Sequence, residues 1–278
     1  MISKKFALAA VLLTAISTTS ATAAPLREAA ATCKAGALST ITPGTLTIGT
    51  DDPAYSPWFD NNNPSDGKGF ESAIAYAVAA KLGYAPAKVK WVKAPFNSVI
   101  QPGKKSFDFD INEVSITPER AKAVDFSTGY YDVAQALVTV KGSGIENAKT
   151  IAALSHAKLA AAVGTTSYTT ITSLIKPKVK AAVFETNDLA VAALSAGTIK
   201  GLVLDLPTAF YISATVKNAV LVGQFASKPG SEQFGLVLSK GSPLTSCVSQ
   251  GVDALRANGQ LAAISAKWLA AAGAPVIK

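Results

Sequence analysis

One histidine, one methionine and two cysteines are all that this chain of 278 residues holds of the common soft metal-binding and redox side chains. A zinc site draws three or four ligands together from His, Cys and carboxylates. With His156, Cys33 and Cys247 set far apart, such a site has little support, and neither a metal nor a cofactor is expected. Nucleophilic chemistry of the Ser-His-Asp kind would rest on His156 alone, which lies in a polar stretch with no G-x-S-x-G turn near it. Charged residues make up only 16% of the chain against 49% hydrophobic, which is enough apolar material for one or two ordinary cores and unlike a disordered domain.

Long apolar runs are also missing, apart from residues 6–16, and that run falls short of the roughly 20 residues a membrane-spanning helix needs. It follows Lys4 and Lys5 and precedes Ala21-Thr22-Ala23, a small-residue cleavage pattern, so residues 1–23 read as a signal peptide, with a retained anchor as the alternative. Removing them takes two lysines and no acid, lowering the formal charge from +8 to +6. The remaining lysines are scattered and not interleaved with aromatics, so nucleic acid is not an expected partner. Export would place Cys33 and Cys247 in an oxidising compartment, where an even count favours one bridge, tying an N-terminal extension at 24–42 to the start of the C-terminal helices. Free buried thiols are the alternative. Ala30-Ala31-Thr32 lacks the pattern that would mark Cys33 for a lipid.

Short apolar runs alternate with alanine-rich helical ones, the pattern of a parallel α/β sheet. Strands are expected at 46–50, 89–93, 109–111, 136–140, 159–163, 181–185 and 201–204. Phe70, Ile74, Ala77, Val78 and Leu82 recur at helical spacing before Gly83. Further helices are expected from about Tyr168, over 188–196 up to Gly197, and over 244–258 and 261–272, each of these last two followed by glycine.

The most informative stretch is NEVSITPERAKAVDFSTGYY, from Asn112 to Tyr131. Thr117 before Pro118 is a strong helix start, because the hydroxyl caps free amides and proline's fixed φ suits the first helical position. Arg120 then falls in the first turn, an unfavourable place for a cation unless it holds an anion, the plain alternative being a surface pair with Glu119 or Asp125. This run, together with LTIGTDDPAYSPWF, GFESAIAYAVAAKLGY, VGTTS, LDLPTAFY and GQLAAISAKWL in that order, resembles the polar amino-acid-binding proteins, the family 3 extracellular solute-binding receptors of ABC importers. The resemblance covers nearly everything after about Thr45.

That likeness implies a two-lobed periplasmic binding protein fold of type II, each lobe a mostly parallel sheet flanked by helices, with two hinge crossings. Lobe 1 would comprise 43–132 and 233–278, and lobe 2 would comprise 133–232. Arg120 would grip a ligand's α-carboxylate, helped by the Ser115 amide and, from the other lobe, the turn Gly164, Thr165, Thr166 and Ser167. Taken alone, that turn is equally an ordinary helix cap. Asp205 matches the partner of the α-ammonium group, although on sequence alone it reads as a helix N-cap. Tyr55 and Phe96 would supply aromatic walls, with Trp58 a weaker candidate, and each is otherwise an ordinary core residue.

Where such proteins commonly carry small residues before S-I-T, this chain has Asn112 and Glu113, and Asp51 and Asp52 end the first strand. Up to three carboxylates facing the distal end of a ligand favour a cationic side chain, since an unpaired buried carboxylate is costly. The other reading turns Glu113 toward a lysine and leaves Asn112 to hold a neutral polar group. The resemblance implies a monomer that closes over an L-amino acid and signals membrane permease subunits, in a periplasmic or extracellular setting at the cell envelope, and no enzyme activity. Its alternatives are a cyclohexadienyl-dehydratase-like enzyme with Glu113 as general acid, or a sensory ligand-binding module.

Overall fold

The computed structural model describes Met1, residues 33–269 and residues 273–278. The expected signal peptide beyond Met1, and residues 24–32 of the expected extension, lie outside the described residues. Cys33 and Cys247 form a disulfide bridge, as expected from an exported pair. Asp108 then pins the extension, its two carboxylate oxygens accepting from the Ile41 amide at 2.8 Å and the Thr47 amide at 2.7 Å.

Strand β1 (Leu46–Thr50) is buried along its whole length, which its apolar LTIGT sequence allows because it runs between two neighbours. Helix α1 (Phe70–Lys81) covers it. Gly69 starts that helix at φ 91°, where a Cβ would stand 2.4 Å from the Trp58 carbonyl oxygen, so only glycine fits. Strand β2 (Val89–Lys93), the single turn α2 (Phe96–Val99), β3 (Phe109–Asp110), the single turn α3 (Arg120–Ala123) and β4 (Val124–Phe126) complete the first pass. The chain crosses at β5 (Tyr131–Asp132).

Beyond the crossing come β6 (Gln135–Val140), β7 (Leu159–Ala162), α4 (Thr166–Thr169) running into a wider π turn over Thr170–Ile175, β8 (Ala182–Phe184) and α5 (Asn187–Ser195). Then follow β9 (Gly201–Asp205), α6 (Leu206–Thr215) and β10 (Ala219–Phe225). The return strand β11 (Gln233–Phe234) pairs antiparallel with β5, making a two-stranded ribbon between the lobes. The chain then adds β12 (Val237–Ser239), α7 (Thr245–Ala257), α8 (Gln260–Trp268) and β13 (Val276–Ile277).

The first sheet has the order β2-β1-β3-β12-β4 and the second β13-β10-β6-β9-β7-β8. Both are mixed. β1 is parallel to β2 and β3, and β7 to β8 and β9, as helical crossovers require. The strands next to each crossing, β12 and β6, run antiparallel to their neighbours because the chain re-enters there from the other lobe. One expectation is corrected: 233–278 is not all lobe 1. β13 pairs with β10 in the second sheet, and the Ile151 amide donates to the Lys278 carbonyl at 2.6 Å.

The first core packs Phe70, Ile74 and Val78 of α1 against Val248, Val252 and Leu255 of α7 and Leu261 of α8. Trp58 is sealed in it, edge-on to Phe70, Tyr131 and Phe234 at 5.5–5.8 Å. Among the described residues no helix is long and apolar enough to cross a membrane.

Candidate functional site

The residues at or just past the carboxyl ends of β1, β3, β7 and β9 meet across a cleft between the lobes, the place where open α/β sheets present their loops to ligands. The space between the walls, counted with its open mouth, is about 670 Å³. Of the sequence-predicted site residues, Asp51, Tyr55, Phe96, Asn112, Glu113, Ser115 and Arg120 line it from the first lobe. Thr165, Thr166 and Asp205 line it from the second.

Arg120 is buried and pairs with neither Glu119 nor Asp125; Asp125 takes Lys240 at 3.1 Å instead. Thr117 does cap this turn, its hydroxyl accepting from the Arg120 amide at 3.2 Å. The guanidinium lies over the Phe96 ring at 5.3 Å and donates to the Ser115 carbonyl at 2.6 Å and, across the cleft, to the Gly164 carbonyl at 2.8 Å. A guanidinium carries five N–H donors, so these two bonds leave others to face the cleft. Burial lowers the Arg120 pKa, while Asp205 and Glu232 pull the other way. Gly164 sits at φ 73°, and a Cβ there would come within 2.8 Å of the Asn97 side-chain oxygen, so the turn that presents its carbonyl excludes a side chain.

Beside Arg120, Ser115 donates to Glu232 at 2.7 Å and stands 3.4 Å from the Thr166 hydroxyl. Thr165 is in part the plain cap it also resembled, accepting from the Tyr168 amide at 3.3 Å. Ser167 does not line the cleft: it is buried and donates to Gln135 at 2.7 Å. Asp205 precedes α6, yet its side chain makes no capping bond. It accepts from Gln135 at 2.6 Å and faces the cleft. Burial, then repulsion from Glu232, pushes its carboxyl up to about 8 against the opposing pull of Gln135 and Arg120.

Glu113 does not turn outward to a lysine. Held at φ 52°, it is buried, accepts from the Thr208 hydroxyl of the second lobe at 3.1 Å, and lines the cleft. Thr208 in turn accepts from the Trp58 indole N–H at 2.8 Å, so Trp58 serves as a core residue that reaches across rather than as a pocket wall. Asp51 accepts from the amides of Asp52 and Phe96, whereas Asp52 is exposed and paired with Lys93 at 3.3 Å, which removes it from the set of cleft carboxylates. Tyr55 reaches Thr186 and Asp188 at the start of α5; desolvation and Asp188 push its hydroxyl up to about 12.

Residues 46–271 match the family described as bacterial extracellular solute-binding proteins, family 3. The chain belongs to that family. Its relatives include the glutamine-binding protein of an ABC transporter of Bacillus subtilis (strain 168), 28% identical over 76% of this chain and 77% of the relative. An L-arginine-binding protein of Pseudomonas aeruginosa is 27% identical over 77% and 84%. Among solved structures, an ancestral arginine-binding protein bound to arginine superposes with a TM-score of 0.67 at 29% identity, over 82% of this chain and 99% of that one. An ancestral amino acid-binding protein described as a precursor of cyclohexadienyl dehydratase gives 0.67 at 29%, over 82% and 96%.

This solute-binding protein also uses residues that no motif announced. Glu71, Gln135 and Glu232 hold the lining residues from behind, and Asn97, Glu185 and Asn187 complete the walls. Glu71 lay inside the quoted GFES run, but a helical acid beside buried positions reads as a first-turn dipole charge unless its burial is known.

Proposed function

We propose that the protein is the extracytoplasmic receptor of an ABC importer for L-amino acids with a cationic side chain, and that it hands them to membrane permease subunits. The observation that carries the ligand class is the charge of the cleft: Asp51, Glu113 and Asp205 face it, while Arg120 is the one cation lining it among the described residues. Arg120 and Asp205 suit an α-carboxylate and an α-ammonium group, which leaves Glu113 and Asp51 for a positive distal group. A ligand touching both lobes favours the closed form by the difference in its contacts. Charge-assisted hydrogen bonds contribute about 1.5–3 kcal/mol each, so a few suffice for the roughly 8 kcal/mol of a micromolar complex after ordering costs.

Support for the class comes from the relatives named for arginine and histidine, although glutamine and cystine also appear among those names. A thermal-shift screen of the mature protein tests it, because a ligand that binds only the folded state raises the melting temperature, by roughly 5 °C at a hundredfold excess over Kd. Arginine, lysine, ornithine or histidine should shift the melt most, and Glu113→Gln should weaken arginine at least tenfold while sparing glutamine. A Glu113→Gln protein with full arginine affinity would remove the cationic reading and leave a receptor for neutral polar amino acids. The buried Glu113 carboxyl is also what a general acid on this fold would need; a response to prephenate alone would favour that dehydratase-like reading.

A further inference from the structure

We propose that Glu71 and Glu113 act as one charge-adaptive unit at the cleft, carrying a single proton between them when no cation is bound and releasing it when a ligand's positive distal group settles on Glu113. The inference rests on the cationic reading above and concerns what the protein does to accommodate such a ligand.

The Glu71 carboxylate is built into the backbone that carries Glu113. Glu71, in the first turn of α1, accepts from the Glu113 amide at 2.7 Å and from the Tyr130 hydroxyl, both through the same oxygen. Its other oxygen is buried with no hydrogen-bond partner. Glu113 takes the left-handed backbone that puts its amide on Glu71, while its own carboxylate is met by one neutral donor, Thr208.

The charged groups around them are mostly acids: Asp110 on β3, Asp51 after β1 and Asp205 at the end of β9. Asp110 is itself buried, with neither carboxylate oxygen hydrogen-bonded. The nearby cations are committed elsewhere. Lys105 faces Asp110 and donates to the Ser98 carbonyl at 2.8 Å, and Arg120 serves Ser115 and Gly164.

Two buried like charges without a counter-charge are strongly unfavourable, and the remedy open to a carboxyl is to stay protonated. Burial pushes Glu71 up to about 7, and burial followed by repulsion from Glu71 holds Glu113 well above the carboxylate range. A guanidinium or ammonium group at Glu113 reverses the balance: the carboxyl O–H bond breaks, the proton passes to solvent, and an ion pair remains. With a neutral polar ligand the carboxyl keeps its proton and donates it in a hydrogen bond. Because the cation lowers a raised pKa, its affinity increases with pH from the ordinary carboxylate range up to the ligand-free value. A neutral ligand gains nothing over that range.

Calorimetric titration of the mature protein with L-arginine and with L-glutamine, near pH 7 in buffers of different ionisation enthalpy, measures the protons released. Arginine should release roughly half to one proton and glutamine close to none, and over the same range arginine should tighten by up to about tenfold per pH unit. Glu71→Gln keeps an oxygen for the Glu113 amide and for Tyr130 but removes the neighbouring charge that helps hold the proton, so arginine should still bind while its proton release near pH 7 falls. Arginine binding with no buffer dependence would overturn the pair, as would undiminished release from folded Glu71→Gln. Should that variant not fold, the pH profile of the unaltered protein decides, a flat profile overturning the proposal. Failure of every cationic amino acid to bind would bring down the functional reading and this inference together, whereas tight but proton-neutral arginine binding would bring down only this one.

Discussion

Arg120 is where one side chain joins local structure to function. Its guanidinium is fixed by two backbone carbonyls, one from each lobe, and by the Phe96 ring, so the remaining donors are aimed before a ligand arrives. Lysine has the charge but not the fork, and Arg120→Lys should weaken amino-acid binding by about 2–4 kcal/mol, read as a Kd at least thirtyfold higher by calorimetry. Thr208 is the second such point, accepting from Trp58 and donating to Glu113 across the cleft. Thr208→Val keeps the volume and strands both partners, so binding should weaken by about 1–3 kcal/mol while Thr208→Ser stays near the original affinity. Much of the cleft was legible at this scale because Arg120, Asp205 and the S-I-T run sit in recognisable local patterns. What stayed hidden were Glu71, Gln135 and Glu232, which reach the site only through tertiary packing. Asp52 was wrongly counted, because adjacent residues at a strand end point opposite ways and only the fold says which one points in.

At the scale of elements, long periodic segments were readable and short ones were not. α1 and α7 carry enough turns for their apolar spacing to show. β4, β12 and β13 have two or three residues each, too few for any alternation, and are recruited by the sheets they join. β10 was missed although it has seven residues, since its alternation breaks where the register shifts between Leu221 and Gly223. The Cys33–Cys247 bridge closes a loop spanning 214 positions, fastening the extension to α7. Reduction, or Cys33→Ser with Cys247→Ser, should lower stability by about 2–5 kcal/mol, seen as a lower midpoint in denaturant with the arginine Kd little changed, because the bridge lies outside the cleft.

For the molecule as a whole, the cleft's acids set a stability that depends on pH in the opposite sense to an ordinary salt-bridged protein. Asp205 at about 8 and Glu71 at about 7 lie above their unfolded values, so between roughly pH 4 and 8 the folded chain binds more protons than the unfolded one and loses stability as pH rises. Melting of the ligand-free protein should therefore fall by roughly 5 °C or more between pH 5 and pH 8, and a saturating cationic ligand should shrink that slope. A melt that is flat or rises over this range would place these carboxyls in their ordinary ionised state. Cys33 is fastened to helix α7 of lobe 1, while β13 and Lys278 belong to the sheet of lobe 2, so Cys33 and Lys278 ride on opposite jaws. A donor dye at Lys34 and an acceptor at Lys278 would thus work as built-in callipers, turning ligand capture into a change in energy transfer without any label near the cleft.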